Sequence, residues 1–196
     1  AASTAYERAR QLGFQSADLY RNNAESLLEV GRPLDAAAFA RAGLTRFPSD
    51  IALHQVATRL HVESKSPGDP VGELIKAARS ERTNATLWET AIGFLKYLDR
   101  EEDERQLLEE ALSSGSPKTP RLLSLQAIAM ADTGDTKRMV ATYDNLLGRF
   151  PDDAGIKFDF AIQLLKMSEP HRANRLFDEV LKNSPLDQMA LGFKST

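Results

Sequence analysis

Three histidines, His54, His61 and His171, are the first side chains in this sequence to weigh for metal or proton-transfer chemistry. His54 and His61 stand seven residues apart, two turns of a helix, so both rings would share one face. A zinc pair on a helix needs i, i+4 spacing or further ligands close by, and Glu63 alone does not complete a set. Both are therefore read as packing residues whose ring nitrogens reach a neighbour. His171, beside Pro170, reads as solvated. The run "DREEDERQLLEE" (Asp99 to Glu110) gathers carboxylates. It reads as a loop and a helix start, where acids complement the positive end of the helix dipole. The sequence has no cysteine, which removes disulfides, thiolate metal sites and cysteine nucleophiles together. Nothing matches a P-loop, a dinucleotide glycine motif, a nucleophile elbow or HExxH. The expectation is no catalytic residue, no metal and no cofactor.

Composition narrows the class further. The chain has 196 residues, 42% hydrophobic and 27% charged, ordinary values for a folded protein. Twenty-five basic residues face 28 acidic ones, for a net charge of −3, and no basic run suited to phosphates occurs, so nucleic acid is not expected. No apolar stretch approaches the length of a membrane span. These features imply a soluble chain, cytoplasmic or periplasmic.

What must position any functional side chain is a repeat. "RFPSD" (Arg46 to Asp50) returns as "RFPDD" (Arg149 to Asp153), and "NSPLD" (Asn183 to Asp187) follows. Pro185 lies 34 residues after Pro151, and Pro151 lies 103 after Pro48, three such steps and one residue. Fixed periods of this size mark arrays. Units begin at Ala17, Ile51, Ala85, Pro120, Ala154 and Gln188, with one extra residue in "SSGSPKTP" (Ser113 to Pro120). Within a unit, apolar or small residues recur at helical spacing, as in Tyr20, Asn23, Ala24 and Leu27, or Lys157, Phe160, Ala161 and Leu164. A second stripe follows, such as Ala36, Ala40, Gly43 and Leu44, or Met139, Tyr143, Leu146 and Leu147. Gly31 and Gly134 share a unit position suited to ending the first helix in the left-handed region. Pro33 and Pro170 share one suited to the first turn of the second helix. The prolines after Phe47 and Phe150 close the second helix, and the two phenylalanines pin the turn.

In these features the chain resembles the tetratricopeptide repeat family, whose 34-residue helix–turn–helix units carry small residues at positions 8 and 20 and proline at 32. The pairs here are Ala24 with Ala36, Ala127 with Met139, and Ala161 with Ala173; small residues let two helices approach closely. The resemblance covers about 170 of the 196 residues. It implies an all-α fold, a right-handed α-solenoid of stacked antiparallel helix pairs forming one domain. The units are 17–50, 51–84, 85–119, 120–153 and 154–187. Residues 1–16 read as the second helix of a preceding unit and 188–196 as the start of a further one. With no polar capping helix at either end, the chain is expected to be a section of a longer array. Units two and three depart from the pattern, with Thr58 and Pro70, then Ile92 and Glu104, at the small-residue positions. "SPGDPVG" (Ser66 to Gly72) must delay the second helix of unit two to about Pro70. Trp88 falls where the family favours tryptophan and is expected in the core.

The resemblance also places the first helices on a concave face. Residues then pointing into the groove are Asp18, Arg21, Glu25 and Glu29; Gln55, Arg59 and Glu63; Glu89, Lys96 and Tyr97; Arg121, Ser124, Ile128 and Asp132; Phe158, Ile162 and Lys166. A carboxylate clamp of the chaperone-binding members is absent, because its positions hold Arg21, Glu25, Val56, Thr86 and Thr90. The function implied is a non-catalytic scaffold that binds a peptide or protein segment in this groove. The alternative is a docking or regulatory arm of a larger bacterial enzyme, such as a glycosyltransferase or sulfotransferase, or of an envelope polysaccharide-export machine. Self-association through open ends is a further expectation.

Overall fold

The structure is a computed structural model that describes residues 16–184 and 187–194; the expected helix before Ala17 and Pro185 lie outside them. All secondary structure among the described residues is helical. The helices are α1 (Ala17–Glu29), α2 (Pro33–Arg46), α3 (Ile51–Ser64), α4 (Pro70–Ser80), α5 (Ala85–Tyr97), α6 (Glu101–Ser113), α7 (Pro120–Asp132), α8 (Thr136–Arg149), α9 (Ala154–Lys166), α10 (Pro170–Asn183) and α11 (Gln188–Lys194). They fall into two compact units divided between Ser116 and Pro117. In the first, α1 packs on α2, α2 on α3, α4 on α5 and α5 on α6; in the second, α7 packs on α8 and α9 on α10.

The recurring "FPxD" is a stop and a start in four residues. Phe47 closes α2, its N–H bonded to Gly43 O, and the Asp50 carboxylate then accepts from Leu53 N at 2.8 Å to open α3. Phe150 and Asp153 repeat this between α8 and α9, with the Asp153 carboxylate 3.0 Å from Ile156 N. Asp187 opens α11 the same way, accepting from Ala190 N at 3.0 Å.

The first helices also end alike. Gly31 and Gly134 take φ of +73° and +83°, and the next residue's N–H reaches back to Leu27 O or Met130 O at 2.9 Å. Asp99 and Ser168 hold the same place in their pairs at φ +53° and +60°, with the same 2.9 Å bonds from Arg100 and Glu169.

Small residues set the spacing of the pairs. Ala24, Ala36, Ala127, Ala161 and Ala173 are fully buried. A Cβ at Gly43 would lie 2.8 Å from Tyr20 Cβ and 3.0 Å from Leu53 Cδ1, so α2 approaches α1 and α3 at glycine distance. Trp88 is wholly buried on α5, with its indole N–H donating to Arg82 O at 3.2 Å. The carboxylate run opens α6, where Glu101, Glu102, Asp103 and Glu104 occupy the first turn.

One pair is out of step. From α1 to α2 the helix starts are sixteen residues apart, Ala17 to Pro33, and α5 to α6, α7 to α8 and α9 to α10 keep that interval. From α3 to α4 they are nineteen apart, Ile51 to Pro70. Lys65 at φ +48° and Gly68 at φ +116° turn the intervening chain.

Candidate peptide-binding faces

In the first unit α1, α3 and α5 share a face because each first helix packs beside the next. Along it the side chains expected in a groove come together. Gln55, Arg59, Glu63 and Tyr97 line a slot of ≈ 220 Å³ with Thr58, Val62 and Phe94. A neighbouring depression of ≈ 320 Å³ is lined by Glu25, Leu28, Glu29, Arg59 and Glu63. Arg59 and Glu63 belong to both, so the two are continuous. The slot's walls are apolar, and Tyr97, 68% exposed, presents its ring at the edge. Thr58 is 2% exposed, and its hydroxyl has no hydrogen-bond partner. An orphaned buried hydroxyl costs free energy, and this one is closed off from the slot, with essentially no accessible surface. Asp18 and Arg21 pair with each other at 2.6 Å. Lys96 is exposed and Glu89 half-buried on α5, and neither lines the two depressions.

In the second unit the equivalent face is organised by a chain of hydrogen bonds. Arg121 on α7 pairs with Asp159 on α9 at 2.5 Å. The same Asp159 oxygen accepts from Ser124 Oγ at 2.7 Å, and Ser124 Oγ lies 3.1 Å from the Tyr143 hydroxyl. Burial pushes the Tyr143 phenol well above its ordinary range. Ser124 is 1% exposed, which corrects its expected place on the open groove. It is a strut beneath Arg121, because a small hydroxyl between two packed helices finds its partners inside. Ile128 and Ile162 are half-buried, and Asp132 and Lys166 are exposed at the last turns of α7 and α9. Phe158 is also half-buried, its ring edge-on to Phe177 at 5.7 Å and to Phe193 at 5.9 Å.

No family model and no curated relative matches the chain. Solved structures that resemble it include YrrB, a TPR protein with an unusual peptide-binding site, at 18% identity and TM-score 0.52 over 98% of each chain. Pseudomonas aeruginosa PilF matches at 20% identity and TM-score 0.56, over 90% of this chain and 80% of its own. A thermophilic TPR protein from Thermus thermophilus matches at 17% identity and TM-score 0.62, over 92% and 98%. The fold is that of the tetratricopeptide repeat.

Numbered within a TPR unit, Arg59 and Glu63 fall at positions 9 and 13 of the second repeat, and Tyr97 at position 13 of the third. Three members of the slot escaped the sequence reading. Val62 stands at position 12, where the expected groove residue Lys96 stands in the third repeat. Thr58 was visible only as a departure from the small-residue pattern, and Phe94 lies at position 10, which none of the expected groove residues occupies. Asp159 also escaped, although its spacing from Arg121 is set by the neighbouring first helices.

The histidines behave as packing residues. His54 occupies position 4 of its repeat, as Trp88 does, and is 1% exposed, with Nε2 2.8 Å from Pro48 O. His61 Nδ1 lies 2.8 Å from Ser66 O, and His171 is exposed. Among the described residues no group of three or more His, Cys, Asp or Glu side chains could hold a metal, and no helix is long and apolar enough to cross a membrane.

Proposed function

We propose that this TPR chain is a protein-interaction scaffold that holds a peptide segment of a partner along its first-helix faces. The observation that carries this reading is the slot in the first unit: apolar walls from Val62, Phe94 and Tyr97, and a polar rim of Gln55, Arg59 and Glu63. An apolar side chain seated there would displace water, while the rim fixes orientation. The adjoining depression carries Glu25, Glu29 and Glu63 against one cation, Arg59. The second-unit face, with Arg121 fixed by Asp159, extends the same proposed role to another stretch of partner.

Selection of displayed random peptides on the purified chain tests this. Enriched sequences should share a bulky apolar residue and lose binding to Tyr97→Ala, whose exposed ring can be removed with little effect on stability. Arg59→Glu with Lys96→Glu should also weaken capture at an unchanged melting temperature. Failure to enrich any sequence, or binding indifferent to Tyr97→Ala, would overturn the assignment.

A further inference from the structure

The slot and the depression beside it differ in charge. The slot's rim balances one guanidinium, Arg59, against one carboxylate, Glu63. The depression, between α1 and α3, sets three carboxylates, Glu25, Glu29 and Glu63, around the single Arg59. Among the described residues, none of these four side chains makes an ion pair or a hydrogen bond within the protein. The neighbouring cations do not restore the balance. Arg21 pairs with Asp18 at 2.6 Å and Arg32 with Asp35 at 2.7 Å, and neither Lys65 nor Lys96 lines the depression.

Helix ends deepen the imbalance. Glu29 is the last residue of α1 and Glu63 the last but one of α3, where the backbone dipole is already negative and cations are favoured. In the same unit α2, α4 and α5 follow that preference, with Arg46, Arg79 and Lys96 in their last turns. The last turn of α1 has no basic residue. That of α3 has only His61, whose Nδ1 lies 2.8 Å from Ser66 O. Carboxylates set against the dipole and left unpaired suit a cation from another molecule. It is not a metal ion, because among the described residues no group of three or more His, Cys, Asp or Glu side chains could hold one. A guanidinium or ammonium on a flexible stem reaches carboxylates too far apart for a metal.

Adjacent helices lie about 8–10 Å apart. The slot, between α3 and α5, is therefore one helix spacing from the depression, a distance an extended peptide covers in about three residues. The slot's ≈ 220 Å³ exceeds the roughly 150 Å³ that holds a benzene ring. Resting on the peptide-binding reading above, we propose that the partner segment is basic. A bulky apolar side chain fills the slot, and an arginine or lysine two or three residues away lies among Glu25, Glu29 and Glu63. Arg59, between the two, donates to the peptide's carbonyl oxygens.

Calorimetric titration of the full chain with short capped peptides tests this. Each peptide carries one phenylalanine and, two or three residues to either side, arginine, its neutral isostere citrulline, or glutamate. The arginine peptide should bind about five- to tenfold more tightly than the citrulline peptide at low salt. The glutamate peptide should bind more weakly still, and the gap should close towards about 1 M salt. Glu25→Gln combined with Glu29→Gln should bind arginine and citrulline peptides alike, at a melting temperature unchanged or raised. Tyr97→Ala should weaken both. If the two peptides bind the unaltered chain equally and both lose affinity to Tyr97→Ala, the slot stands and the basic partner is wrong. A preference for arginine that survives the double glutamine substitution overturns the proposal as well. No binding at millimolar concentration, or arginine binding indifferent to Tyr97→Ala, overturns the slot reading and this proposal with it.

Discussion

Gly43→Ala and Gly93→Ala apply one chemical change to two helix interiors and should move stability in opposite directions. In a helix interior alanine is favoured over glycine by about 1 kcal/mol. At Gly93, on the exposed face of α5, an added Cβ meets nothing within 4 Å, so that gain should appear nearly in full. At Gly43 the same Cβ would sit 2.8 Å from Tyr20 Cβ and 3.0 Å from Leu53 Cδ1, against about 3.5–4.0 Å for relaxed carbon contacts. Tyr20 Cβ cannot swing away by a rotamer change because the backbone of α1 holds it. Either α1 or α2 must move, and overpacking of this kind costs about 1–3 kcal/mol. The net expectation for Gly43→Ala is a loss of about 1 kcal/mol, against a similar gain for Gly93→Ala, each worth about 2–4 °C in Tm for a chain of this length. Trp88, the sole tryptophan, is buried in the same unit as both glycines, so its fluorescence in urea unfolding reports the right transition. Should Gly43→Ala match or exceed the gain at Gly93, close approach of α1 and α2 would not be what glycine provides there.

Three further outcomes follow from named contacts. Trp88→Ala, which empties a fully buried site and leaves Arg82 O without its donor, should cost about 3–5 kcal/mol by circular dichroism in urea. Ser168→Gly should stabilise the second unit by about 1 kcal/mol, because serine there bears the left-handed strain that Gly134 avoids; an unchanged unfolding midpoint would contradict this. His54 has a folded pKa below its unfolded value of about 6.5. The unfolded chain therefore takes up its proton first as pH falls, and stability present above that value is lost progressively below it. The urea midpoint should drop between neutral pH and about pH 5, and His54→Gln should flatten the drop.

Much of this architecture was legible because its rules are local. A cap, a left-handed residue or a proline acts within one turn of its own position, so "RFPSD" and "RFPDD" announced where one helix ends and the next begins. The buried stripe of each helix, including Ala24, Ala161 and Phe177, follows from 3.6-residue spacing alone. Even the late start of α4 could be read from two prolines and a glycine. Position rules also put Gln55, Arg59 and Glu63 on one face.

Tertiary structure decided which atoms are left over. Ser124 stands at position 5 of its repeat, as Gln55 does in the second, yet Asp159 and Tyr143 from other helices enclose it. Lys157 sits on a packing stripe and is buried, because Glu179 on α10 meets its ammonium at 2.8 Å. The Thr58 hydroxyl and the His54 Nδ1 are buried without a hydrogen-bond partner, and only neighbours distant in sequence determine that. The sequence by itself determined the helix pairs, their period and their buried stripes, since each depends on bonds within a single turn. Which polar atoms are shared between helices, and which face an open slot or cavity, was set by ångström-scale distances between separate helices, which spacing along one chain does not encode.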